Sequence, residues 1–246
     1  NTFDEIVKEI KERQLIFPFV CDDFMTSGTL LSEISQNFKY IVVMRNPIDM
    51  LFTWFRSGRG TRLGTDPRYT NPAFKIRDFD NIHYSMLDNA EEYNKANPLE
   101  KCFLVIEKQM VGYMNAVLVH SSNTCLVPIE NYWIETEKYI EKFEIFLSTS
   151  RTEFTNDEMS GANVPRKKDI DTFSTKANMI LDNINEKYSD RLKILCQRYE
   201  TEISDVYKLS SITKSPKGKF KDLGIDAFSQ ISSASEFNRG KRISKK

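Results

Sequence analysis

Apolar positions along the chain switch between helical and strand spacing in the order expected of an α/β protein. Phe3, Ile6, Val7 and Ile10 recur at helical intervals with charges between them, and residues 15–21 (LIFPFVC) read as a short buried strand. Residues 30–34 predict a short helical connection. Residues 40–44 (YIVVM) form an apolar, β-rich run of the length of a central parallel strand, and the next helix starts near Pro47. From 57 to 80 the chain is rich in Gly, Arg, Thr, Pro and Asp without a sustained period, which predicts a long loop, either functional or disordered. Helical patterns resume over 86–95 and 99–120, and residues 123–128 (NTCLVP) read as another strand with Glu130 at its C-terminal edge. An amphipathic helix is expected over 134–147, a polar loop over 148–168, and one long or two shorter helices over 174–209. Beyond Ser210 the chain is rich in Ser, Lys, Gly and Arg and ends GKRISKK, the composition of a solvated terminus. The expected organisation is an α/β domain over 1–209 and a basic, flexible tail over 210–246.

Composition narrows the chemistry. With 246 residues and 40% of them hydrophobic, the chain can bury a substantial core. The 35 basic and 35 acidic residues balance, so no whole-molecule field draws nucleic acid, and any anion site must be local. Cys21, Cys102, Cys125 and Cys196 are scattered without CxxC pairs, and only His83 and His120 could join them, so reduced structural thiols and no metal are expected. No apolar run reaches the roughly 20 residues of a membrane helix, so no membrane segment is expected within the chain. His83, alone in a polar segment, reads as structural or solvated rather than as a base.

The segment YIVVMRNPIDMLFTWF carries the most chemistry. In an open parallel sheet, ligands bind beyond the carboxyl ends of strands, where helix N-termini present unpaired N–H groups. Arg45 falls at that edge, Asn46 suits the cap, Pro47 the first helical position and Asp49 the first turn. Thr53, eight residues after Arg45, could face the same anion as the guanidinium. A planar guanidinium beside a hydroxyl suits phosphate. The alternative is that Arg45 pairs with a surface carboxylate while Thr53 packs.

This segment resembles the 3′-phosphate-binding segment of sulfotransferases that use 3′-phosphoadenosine 5′-phosphosulfate (PAPS). Arg45, Asn46, Pro47 and Asp49 match, and Thr53 stands where Ser is usual. The resemblance implies a three-layer, mostly parallel sheet flanked by helices, the P-loop-NTPase-like fold of that family. A gapless reading back from Arg45 puts Asp23 where cytosolic relatives carry a basic His, with Asp22 adjacent; a carboxylate can take the acceptor's proton. Either aspartate could instead cap the following turn. Downstream, CLVPIENYW and KFEIFL are similar to the family's strand, Tyr-Glu-Asp-Leu turn, helix and Phe-Leu-Gly; Glu130 and Phe146-Leu147 match, while Ile129, Asn131 and Ser148 depart. VPRKKDIDTF resembles the basic loop that closes over the 3′-phosphate, which would make Arg166 and Lys167 donor ligands; Lys168 and Phe173 replace Gly and Trp there, and a solvated basic loop is the alternative. KGKFK at 217–221 has similar composition but reads as tail.

The family's N-terminal lysine-bearing loop, which cradles the 5′-phosphosulfate, is missing; MTSGTLL at 25–31 lacks the Lys and lies too close to Arg45. The expectation is a chain truncated at its N-terminus, covered by the resemblance over about 15–209. The implied function is transfer of a sulfuryl group from PAPS to a hydroxyl or amine of a carbohydrate or small-molecule acceptor. Asp23 would be the base, Arg45 and Thr53 the donor anchors, and Arg56, Arg59, Arg62 and Arg68 would lie near the acceptor unless they are ordinary surface charges. The alternative is a nucleotide-binding domain of the same fold without turnover. A P-loop kinase would need a GK[ST] loop that the sequence lacks. The chain as given reads as cytoplasmic, with a Golgi or membrane-anchored location open if an anchor precedes it.

Overall fold

The computed structural model describes residues 39–63, 74–76, 79–119, 121–155 and 172–209, with residues 2, 5, 8 and 157. Asp22, Asp23, Arg68, Arg166 and Lys167 lie outside the described residues, as do the strand expected at 15–21 and the tail from 210.

Strand β1 (Tyr40–Met44) leads into helix α1 (Pro47–Arg56), followed by a single turn, α2 (Arg59–Arg62). Strands β2 (Phe74–Ile76) and β3 (Phe79–Ile82) form an antiparallel hairpin, and a 3₁₀ segment (Tyr84–Asn89) feeds α3 (Ala90–Lys95). The long helix α4 (Pro98–Val119) returns the chain to β4 (Thr124–Pro128). Then come α5 (Ile129–Ile134), α6 (Thr136–Leu147), α7 (Phe173–Asn183) and α8 (Glu186–Glu202). The described chain is α-rich, with a small parallel sheet: β4 pairs with β1 from Tyr40↔Thr124 to Met44↔Pro128.

Strand alternation distributes the core. Val42 and Met44 are buried against α1, α4, α7 and α8, in a cluster that includes Ile48, Leu51, Phe55, Phe103, Ile106, Ile180, Leu192 and Tyr199. Each such aliphatic or aromatic side chain stabilises the fold by about 1.5–3 kcal/mol on burial. On the opposite strand face Cys125 and Val127 form a second cluster with Tyr139 of α6. Their register partners Ile41 and Val43 are 41% and 58% exposed, so α6 covers the β4 side of that face and leaves the β1 side open. The run from Cys102 to Ile106 is buried without a break, which makes α4 a central rather than a surface helix. Its start is a capping box: the Asn97 side chain accepts from the N–H of Leu99 (2.9 Å) and Glu100 (3.0 Å), and Glu100 accepts from the Asn97 N–H (2.8 Å).

Within 57–80, the described residues 57–63, 74–76 and 79–80 depart from the loop expected of them. Gly58 adopts φ 70° and ends α1, and Gly60 sits so close to α4 that a Cβ would come within 2.0 Å of the Pro98 carbonyl oxygen. These two glycines, read as loop composition, allow α2 to dock. The strands at 74–76 and 79–82 were likewise masked by the surrounding Arg, Asp and Pro. The helix expected over 134–147 begins at Thr136, preceded by the separate turn α5 directly off β4, and the final helical region divides at Ile184. Where a mostly parallel central sheet was expected, the described residues form one parallel pair and one antiparallel pair.

Candidate anion site

Met44 and Pro128 are register partners at the carboxyl ends of β1 and β4, so Arg45 and Glu130 emerge side by side from the same sheet edge. The turn after β1 is fixed locally. The Asn46 side chain accepts from the Ile48 N–H at 3.0 Å, and Pro47 occupies the first helical position. Arg45 therefore projects from a rigid strand–helix junction. Its guanidinium lies 5.4 Å from the ring centre of buried Trp133 on α5, in cation–π geometry.

Asp49 decides the electrostatics. The sequence reads it as an acid in the first helical turn, and its side chain is only 1% exposed. Arg45 Nε donates to its Oδ2 at 2.5 Å, and Lys176 Nζ, from α7, pairs with Oδ1. The Lys176 side chain is 10% exposed and lies 5.9 Å from the Phe52 ring centre. One buried carboxylate thus holds two cations from separate elements. Beside them opens a cleft of about 440 Å³ lined by Arg45, Phe52, Thr53, Arg56, Ser57 and Lys176. Three of those residues are cations and none is acidic, so the cleft is suited to an anion.

Arg45 and Thr53 are brought together on this wall, as the sequence reading requires. The Thr53 hydroxyl donates to the Asp49 carbonyl at 2.8 Å. Arg59 and Arg62 are used differently. Arg59 stacks on Trp54 with its guanidinium 4.6 Å from the ring centre, and Arg62 donates to the carbonyls of Gly58 (3.2 Å) and Ser57. Neither lines the cleft; Arg56 does.

Lys176 escaped the sequence reading, although a signal existed. Phe173, Ala177 and Ile180 form the buried stripe of α7, and Lys176 lies on that stripe. A lysine on an apolar face implies a carboxylate partner or an anion, since the charge must be compensated.

Behind Arg45, Glu130 is fully buried. The Tyr199 hydroxyl and the Asn46 backbone N–H face its carboxyl and pull its pKa down, but neither reaches hydrogen-bond geometry. Burial, reinforced by the charge of Asp49, pushes it above the ordinary carboxylate range. Farther away, His83 caps the 3₁₀ segment, its Nδ1 accepting from the Ser85 N–H at 3.3 Å; burial lowers its pKa to about 4. Of the two roles expected of it, structural or solvated, His83 takes the structural one.

Among the described residues no group of three or more His, Cys, Asp or Glu is placed to hold a metal, and no helix is long and apolar enough to cross a membrane. Compared with known protein families, curated proteins and solved structures, the chain matches none.

Proposed function

We propose that the chain is a PAPS-dependent sulfotransferase domain whose Arg45 cleft receives the 3′-phosphate of the donor. The observation that carries this reading is Arg45 itself, a guanidinium at the carboxyl end of a parallel strand, opening on a cation-lined cleft at a capped helix N-terminus. Support also comes from the register of β1 with β4, which sets the Arg-Asn-Pro segment beside the Glu130 turn, the two segments that resemble the family. The three-layer fold of that family is part of the same proposal.

In this reading Arg45 and Thr53 bind the 3′-phosphate and fix the donor. The acceptor oxygen or nitrogen attacks sulfur, the bond from sulfur to the bridging phosphate oxygen breaks, and adenosine 3′,5′-bisphosphate leaves with that electron pair. Asp23 takes the acceptor proton, with Asp22 as the alternative base. Arg166 and Lys167 would close over the 3′-phosphate, and of the arginines expected near the acceptor Arg56 is the one that lines the cleft. Positioning and stabilisation of the leaving phosphate supply most of the catalysis.

The test is sulfate transfer from labelled PAPS to a panel of sugars and small alcohols or amines. Transfer abolished by Asp23→Ala supports the enzyme. Binding of adenosine 3′,5′-bisphosphate without transfer to any acceptor supports the nucleotide-binding alternative. Full activity in Asp23→Ala with loss in Asp22→Ala moves the base by one residue.

A further inference from the structure

We propose that Glu130 is a positioning residue of the Arg45 anion site: while its carboxyl is protonated it holds the turn after β1, and when it ionises anion binding at Arg45 weakens. This rests on the reading of the cleft as a 3′-phosphate site. Met44 and Pro128 close the paired strands, so Asn46 and Glu130 each lie two residues beyond the same sheet edge, and both are 0% exposed. The Asn46 N–H belongs to the peptide that follows Arg45, and it faces the Glu130 carboxyl. One helical turn further along α5, the Trp133 ring lies under the Arg45 guanidinium. The turn and the aromatic platform that place Arg45 therefore both adjoin Glu130.

The surroundings of this carboxyl favour its neutral form. Both of its oxygens are buried without a hydrogen bond, so an ionised carboxylate would keep its desolvation cost. Asp49 of α1, the carboxylate that holds Arg45 and Lys176, faces it with a like charge, and Tyr199 of α8 and Tyr139 of α6 also face it. Ionised, Glu130 adds a further negative charge behind Arg45 and repels an anion that arrives there. The coupling is reciprocal: a bound anion holds the proton on Glu130, and a rise in pH that removes the proton lowers the affinity for the anion.

Calorimetry on the full chain with adenosine 3′,5′-bisphosphate between about pH 5 and pH 8, at equal ionic strength, tests the assignment. Titration of the phosphates is common to every variant, so a comparison of variants isolates Glu130. Glu130→Gln, which mimics the protonated carboxyl, is expected to bind within about twofold of wild type at the acid end and roughly threefold to tenfold more tightly at the alkaline end. Tyr199→Phe removes a hydroxyl that favours the ionised carboxyl, so its affinity should begin to fall at a higher pH than that of wild type. Should Glu130→Gln fail to fold, that displacement of the profile decides the role. A constant ratio between Glu130→Gln and wild type at both ends, or a Tyr199→Phe profile superimposed on wild type, overturns the role of Glu130; loss of binding in Arg45→Ala would then leave the site intact. Wild type and Arg45→Ala that bind alike across the range overturn the site reading itself.

Discussion

Asp49 lies one helical turn beyond Arg45, almost wholly buried, and accepts its guanidinium, so the residue at the centre of the proposed anion site is fixed from inside the protein. The same carboxylate holds Lys176 across the packing of α1 on α7. Asp49→Ala would leave two cations without their shared carboxylate. It is expected to destabilise the protein by about 3–5 kcal/mol, read as a lower urea midpoint at an unchanged slope. A midpoint at the wild-type value would mean that the carboxylate organises nothing.

Glu130 gives a prediction of opposite character. Its pKa is raised in the folded state, so folding favours the proton; stability is fully present below the unfolded carboxylate pKa of about 4.3 and declines as pH rises through the folded value. Glu130→Gln keeps the shape and removes the titration. The variant should equal wild type within about 1 kcal/mol at pH 4 and exceed it at pH 8, measured by urea unfolding at both values. A variant less stable at pH 8 would show that the ionised carboxylate is favourably held.

His83 titrates with the reverse sign. Burial lowers it from about 6.5 to about 4, so the fold prefers the neutral ring; its contribution is complete above pH 6.5 and is lost as pH falls toward 4. The shift corresponds to a loss of about 3 kcal/mol once both states are protonated. His83→Asn, which can keep the Ser85 cap without titrating, is expected to flatten the stability profile between pH 6.5 and 4. An unchanged slope would exclude His83 as its source.

Gly60 tests the docking of α2. A methyl group there meets the Pro98 backbone, which cannot move aside as a flexible side chain would. Gly60→Ala is expected to cost about 1–3 kcal/mol, seen as a lower Tm by circular dichroism. Wild-type stability in Gly60→Ala would show that α2 does not press on α4.

What the sequence made legible was local chemistry. Asn46 and Pro47 announce the start of α1 because capping depends on a few adjacent groups, and they cap it in the structure. The apolar runs at 40–44 and 123–128 announce strands, and both prove to belong to one parallel pair. The use of Asp49 and Lys176 was not legible as a pair, because their meeting depends on how α7 packs against α1. Glu130 was seen at a sheet edge, but its burial and the Tyr199 hydroxyl that α8 brings to face it depend on tertiary packing. The hairpin at 74–82 was obscured by its polar neighbours, and α2 by two glycines, one needed for its positive φ and one for its close approach to Pro98. Arg59 and Arg62 were grouped with Arg56 by composition; helix phase and Trp54 separate them.

The most direct measurement of the central claim is calorimetric titration of adenosine 3′,5′-bisphosphate into the wild-type chain and Arg45→Ala at equal ionic strength, with Tm recorded for both. A bidentate guanidinium–phosphate contact predicts an affinity loss on the order of a hundredfold at retained folding. Equal affinity in the two proteins would contradict the assignment of Arg45 as the anchor of the anion.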